Sequence, residues 1–366
     1  MIFKKSGTMK DKISITENIE YITKIEGDGF EFNEIELENE YSKVQNDESS
    51  IAIKILSILG GFFAAITFLG FLLIAGLYDS EEGLVVTGLI FVCAALLLNV
   101  VYKKLIIDTL SVSAYGLGLC LIAFGLSALQ VGGNTISIIF VLISLLTIGI
   151  TKNYILSFIS ILTINGSFIF LIIENELYSL IHIYNAILLV LVTYVFLKEA
   201  KLLADNRFPS QLYNPVRIGL LISLLLGLVF VGQRGIFNFG IKYIWSSSLI
   251  TIPLTIYVIS IITKIIGITK VKTLYLIYSL CILFLIPTAL SPAISGSLLI
   301  ILLCFLVNYK TGLAIGVFSF IYFISQYYYD LNYTLLTKSI ILFVSGIVFL
   351  LFSVVTHQKL GYNEKI

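Results

Sequence analysis

The chain has 366 residues, 58% of them hydrophobic and 12% charged, with a mean hydropathy of +1.02 and a formal net charge of +1. A water-soluble globule of this length needs more polar surface than that composition supplies, so the sequence reads as a membrane protein in contact with the lipid bilayer. The balanced charge carries no nucleic-acid footprint, and the four cysteines, Cys93, Cys120, Cys281 and Cys304, lie inside apolar runs without CxxC or Cys/His spacing, as small apolar side chains do.

Residues 1–50 hold 12 Asp and Glu against six Lys and lack the apolar core of a secretory signal peptide. They read as an acidic cytoplasmic tail that stays attached. Ser14 and Glu17 have the spacing of a capping box, and Ile15, Ile19 and Ile22 fall on one stripe until Gly27 and Gly29 stop it. That predicts a short amphipathic helix, either resting on the cytoplasmic face or docking a partner.

Twelve apolar stretches follow, at about 51–77, 84–102, 107–129, 134–150, 154–173, 177–197, 217–233, 246–264, 272–290, 293–309, 311–328 and 334–355. Roughly 20 apolar residues span the hydrocarbon core as a helix, in which every backbone group is bonded internally. The expected fold is therefore an all-α polytopic transmembrane bundle. Its first six helices cover 51–197 and its second six 217–355, with a cytoplasmic loop at 198–216 carrying Pro209 and Pro215 and a cytoplasmic C-terminal tail at 356–366.

Basic residues alternate with the spans. Thirteen of them, Lys103, Lys104, Lys152, Lys198, Lys201, Arg207, Arg217, Lys264, Lys270, Lys272, Lys310, Lys359 and Lys365, fall at the ends of even-numbered stretches, and only Arg234, Lys242 and Lys338 fall on the other side. The positive-inside rule then puts both termini in the cytoplasm. Lys152-Asn153-Tyr154 and Asn308-Tyr309-Lys310 open corresponding spans of the two halves, and Cys120 and Cys281 sit at similar places, a faint echo compatible with a six-plus-six parallel repeat. No basic Gly-Asp-Arg-type loop follows the second span, where Tyr102-Lys103-Lys104 stands instead.

Ionisable residues at depth mark function in membranes, and this chain has few. Lys54, Asp108 and Lys264 are within about a turn of the cytoplasmic boundary, where snorkelling satisfies them. Two constellations remain. Asn165 and Asn185 fall near mid-depth with His182 one turn outward from Asn185, and Pro253, between Thr251 and Thr255 in the eighth span, marks either a broken helix at a binding site or a tolerated kink. They either pair helices or line a cavity. Ala114 and Gly118, four apart, predict a close helix approach.

At the outer end, Tyr327, Tyr328, Tyr329, Asp330, Lys338 and Ser339 form the densest polar and aromatic run. A last helix starting near Asp330 would stack Asp330, Thr334 and Lys338 on one face and bring Lys338 within cation–π reach of tyrosine. The alternative is an interfacial aromatic belt with a snorkelling lysine.

The Tyr-Tyr-Tyr-x-Leu-x-x-x-Leu-Leu-x-Lys-Ser run, on Tyr327, Tyr328, Tyr329, Leu331, Leu335, Leu336, Lys338 and Ser339, with Ser345-Gly346 after it, resembles the C-terminal signature of a bacterial membrane family, domain-of-unknown-function family four-four-zero-one. The opening of the first span, from Ile51 to Phe62, is similar to that family's start, although Phe62 and Phe63 stand where its members usually carry Trp. The resemblance covers most of 51–355. It implies an accompanying membrane protein of the GDYxxLxY type and no established activity.

Taken together, the residues predict a non-enzymatic membrane component with no cofactor, no metal and no catalytic centre, working with a partner protein through the acidic tail or the outer Tyr/Lys patch. The rival expectation is a secondary transporter of a small solute, with Asn165, His182, Asn185 and Pro253 at a cavity between two six-helix halves. An intramembrane enzyme fits worst, since His182 and His357 lie in different settings and no Ser/Lys or paired-carboxylate arrangement sits at depth.

Overall fold

The computed structural model describes residues 51–76, 80–102, 105–204, 210–232, 243–330, 334–340 and a few positions as far as Leu350. The expected tail helix after Ser14 lies outside these residues. Two compact units divide between Phe63 and Ala64. In the first, residues 51–63 are helical.

Among the described residues all regular structure is helical. The helices are α1 (Ile51–Ile74), α2 (Glu81–Val101), α3 (Leu105–Ala128), α4 (Gly133–Ile150), α5 (Tyr154–Glu174), α6 (Leu180–Leu197), a short α7 (Glu199–Ala204), α8 (Ser210–Gly232), α9 (Trp245–Ile265), α10 (Val271–Leu285), α11 (Pro292–Leu306) and α12 (Lys310–Asp330), with a 3₁₀ turn at Pro287–Leu290 between α10 and α11. Local chemistry sets several starts. Ser80 caps α2 by accepting from the Gly83 N–H at 3.0 Å, ahead of Glu81 and Glu82 in the first turn, and Asn153 caps α5 by accepting from Ile155 and Leu156.

Eight helical segments among the described residues are long and apolar enough to cross a membrane: α2 to α6, α8, α9 and the Val271–Leu290 segment. Each of the twelve expected stretches contains helix among the described residues, but not all meet the spanning length. Pro292 restarts the chain after the 3₁₀ turn, and α11, at 15 residues, reaches only about 22 Å against a hydrocarbon core of about 30 Å.

The loop expected at 198–216 is mostly helix. α7 follows α6 directly, and α8 begins at Ser210 with Pro215 inside it, so Arg217 is two turns into a helix and not in a loop.

Between apolar helices in lipid there is little hydrophobic drive, so close packing and polar contacts decide the pairing. Helices α2 and α3 pack through small residues. A Cβ on Gly88 would lie 2.8 Å from the Gly118 carbonyl oxygen, one on Gly118 2.8 Å from that of Gly88, and one on Gly125 2.9 Å from the Val85 nitrogen, while Ala95 and Ala114 are buried in the same seam. Gly118 and Ala114 have the role their spacing predicts.

A second core gathers α6, α8, α9 and α11 around Leu188, Val192, Leu221, Leu224, Leu228, Val258, Leu299 and Leu303, closed by Phe323 of α12. Helix α8 packs against α5, α6, α11 and α12 and occupies its centre. Of the cysteines, Cys304 is buried here, whereas Cys93 and Cys120 face outward.

Candidate functional site

Three polar contacts radiate from a single turn of α6, each to a different helix. His182 Nδ1 is 2.7 Å from Ser247 Oγ on α9, the Tyr184 hydroxyl donates to Asn165 Oδ1 on α5 at 3.3 Å, and Asn185 Nδ2 donates to the Gly227 carbonyl on α8 at 3.0 Å. Asn165 Nδ2 in turn donates to the Ile161 carbonyl one turn back. Asn185 is fully buried, and its Oδ1 fills the place a Cβ on residue 227 would take, so only glycine fits beneath it. Asn165, Tyr184 and Asn185 therefore come together, and His182, on the same stretch, turns to α9.

Pro253 does not join them. It faces outward on α9, while Thr251 and Thr255 point inward with hydroxyls donating to the Ser247 and Thr251 carbonyls one turn back. A helix buries every third or fourth position, so the residue between two inward threonines must face out.

At the tyrosine end of the bundle, Asp330 is the last residue of α12, and a new helical stretch begins at Leu335 with Thr334 accepting from the Thr337 N–H at 3.3 Å. The expected Asp330–Thr334–Lys338 stack on one helix is thereby replaced by a contact across two segments. Lys338 Nζ lies 5.1 Å from the Tyr328 ring centroid and donates to the Tyr329 carbonyl at 3.3 Å. Asp330 instead accepts from Gln326 at 3.1 Å, and the Tyr328 and Tyr329 rings meet edge to face at 5.7 Å. Ser339 bonds back to the Leu335 and Leu336 carbonyls, and Tyr327 and Asp330 edge a small crevice with Ser291 and Pro292.

The opposite, basic end holds a site that the sequence did not single out. Arg217, 9% exposed, lies with its guanidinium carbon 3.8 Å from the Tyr309 ring centroid, 5.0 Å from Tyr213 and 5.9 Å from Phe196. Its Nη atoms pair with Glu199 at 3.3 Å and donate to Asn214 at 2.8 Å, while Nε is buried without a hydrogen-bond partner. Gly312 makes room for the Tyr309 ring, which a Cβ there would strike.

Tyr213 adds a bond from its hydroxyl to the Val195 carbonyl at 3.3 Å. The cluster joins the end of α6, α7, α8 and the α11–α12 turn. Arg217 counted only as one more loop cation in sequence; the available signal was its company of Tyr213 and Asn214 at helical spacing.

Beside it, Asp108 is not simply snorkelling. Its Oδ1 accepts from Asn99 at 3.0 Å and from Asn153 at 3.1 Å, tying α2, α3 and the start of α5 together. Among the described residues no group of three or more His, Cys, Asp or Glu is placed to hold a metal ion.

No curated protein and no solved structure is significantly similar to the chain. Residues 51–359 match the family described as Domain of unknown function (DUF4401), and the chain, with its apolar helices and the Tyr/Lys run at Tyr327 to Ser339, belongs to that family.

Proposed function

We propose that this chain is a non-enzymatic component of a complex in the bacterial cytoplasmic membrane, crossing the bilayer about twelve times with both termini inside and binding a partner membrane protein of the GDYxxLxY type. The observation that carries this reading is how the mid-depth polar residues are spent. Asn165, Tyr184 and Asn185 bond to neighbouring helices, and the amide of Asn185 packs into the gap left by Gly227, which makes this cluster a helix-pairing device. A solute carrier needs such groups turned toward a water-filled space.

The surface offers the partner a formed patch at the tyrosine end, where Lys338 bridges the Tyr328 ring and the Tyr329 backbone. Tyrosines of this kind are enriched where protein surfaces bind each other. The test is purification of the tagged full-length protein from gently solubilised membranes, beside a version lacking residues 1–45. A stoichiometric membrane partner retained by the full-length chain supports the proposal, and its loss with the tail assigns the docking surface there. A protein that purifies alone and is thermally stabilised by a small solute would overturn it in favour of transport.

A further inference from the structure

Gly219, Ser223 and Gly227 recur at helical spacing on α8 and line one face of it, turning gradually from one neighbouring helix to the next. A Cβ on Gly219 would lie 2.7 Å from the Ile161 side chain on α5, and one on Gly227 would strike the Asn185 amide and come 2.9 Å from the Tyr184 ring on α6. Along α5, Asn165 is one turn beyond Ile161, and its Oδ1 accepts from the Tyr184 hydroxyl. The two helices therefore advance together toward Tyr184. Ser223, midway between the two glycines, is level with Asn165 and one turn from the Asn185 amide.

Two oxygens at this junction lack a partner. Ser223 Oγ and Asn185 Oδ1 are buried without a hydrogen bond, and both residues are 0% exposed. A polar oxygen left unbonded away from solvent is costly, and native structures nearly always satisfy it. Side chains one helical turn apart are separated by about 5–6 Å. That is too far for a direct bond and is the span of one water molecule bonded at about 2.8 Å on either side.

The chemistry around the point matches such a bridge. Ser223 supplies a hydroxyl donor, Asn185 Oδ1 is a free acceptor, and Asn165 Oδ1, which takes one bond from Tyr184 at 3.3 Å, has a second lone pair. A buried water typically makes about three hydrogen bonds. A calcium- or magnesium-like ion takes about six oxygens or more and needs compensating charge, whereas the serine, asparagine and tyrosine side chains that meet here are neutral.

We infer that one ordered water molecule is bound at the junction of α5, α6 and α8, accepting from Ser223 Oγ and donating to Asn185 Oδ1 and Asn165 Oδ1. It completes the helix-pairing device, so the inference rests on that part of the proposed function and is independent of the partner. A single enclosed molecule held on three sides is a structural part of the bundle and not a solute path.

The experiment deletes one arm of the bridge. Ser223→Ala in the full-length protein removes only a hydroxyl that bonds to no other protein group, so without a bound water the thermal midpoint in detergent stays the same or rises. With the water in place the midpoint falls by a few degrees. A high-resolution structure of the wild type should also show one density within hydrogen-bond distance of Ser223 Oγ, Asn185 Oδ1 and Asn165 Oδ1, and that density should be lost in Ser223→Ala. An unchanged or higher midpoint overturns the assignment, as does the lack of density at this point. Density that scatters anomalously after sodium is exchanged for rubidium overturns it in favour of a cation. Partner co-purification reads out separately, so failure here and failure of the complex reading are distinguishable.

Discussion

Arg217 lies over the Tyr309 ring, its guanidinium carbon 3.8 Å from the ring centroid, and its Nη1 pairs with Glu199 at 3.3 Å. Together they pin the α6–α8 connection to the α11–α12 turn. Lysine at 217 would keep the charge but lose the planar fork and the stack, so Arg217→Lys should destabilise by about 1–2 kcal/mol and Arg217→Met by about 2–3 kcal/mol, since the latter also strands Glu199. Tyr309→Phe, which keeps the ring, should cost less than Tyr309→Leu. Thermal unfolding in detergent ranks the four, and an equal stability for Tyr309→Leu and wild type would show that the stack contributes nothing.

The α2–α3 seam predicts a contrast between two glycines of one helix. Gly118→Ala places a Cβ 2.8 Å from the Gly88 carbonyl, a backbone atom that can yield only if the helices separate, and should cost about 1–3 kcal/mol. A Cβ on Gly116 meets nothing within 4 Å, so Gly116→Ala should be neutral or gain up to about 1 kcal/mol from helix propensity. The check is the difference in midpoint temperature between the two variants, and Gly118→Ala unfolding no earlier than Gly116→Ala would contradict the packing.

Asn185 and Gly227 are complementary in shape as well as bonded. Gly227→Ala drives a methyl group into the Asn185 amide and should be strongly destabilising, whereas Asn185→Ala alone should cost about 1 kcal/mol, the typical worth of an interhelical bond in a membrane. The double variant should recover much of the Gly227→Ala loss, because the clash with the Asn185 amide is gone and only the edge of the Tyr184 ring, 2.9 Å from the new Cβ, has to shift. Additive losses in this cycle would refute the coupling.

Lys338→Leu removes the bridge between Tyr328 and the Tyr329 carbonyl without adding a polar group to an apolar helix. Insertion should be unaffected, and co-purification of the partner should fall several-fold. Unchanged recovery would count against the tyrosine end as the docking surface and move attention to the acidic tail.

Most of the helices were legible without coordinates. Each apolar stretch is determined locally, by length and by the need to bond its own backbone in lipid, so the first eleven stretches emerge as helices near their expected positions. The small-residue spacing of Ala114 and Gly118 was equally readable, because the pattern lies within one helix. Errors arose where a local rule met a tertiary alternative. Proline argued for a loop through Pro215, yet the chain there is helical and carries Arg217 into the bundle. Helical spacing argued for one stack of Asp330, Thr334 and Lys338, yet α12 ends at Asp330 and Lys338 reaches Tyr328 across a break.

What the sequence by itself determined is therefore the membrane class, the helices and the polar residues worth watching. Which polar residue meets which was decided only by the tertiary structure: His182, Tyr184 and Asn185, nearly adjacent in the chain, serve three different helices, and Arg217 is enclosed by residues from α6, α7, α8 and the α11–α12 turn. The reason is physical. Helix formation follows from each segment's own length and apolarity, whereas pairing in lipid depends on steric fit and hydrogen bonds between surfaces far apart in sequence, so a spacing within one helix can mark a close approach but does not say which surface it meets.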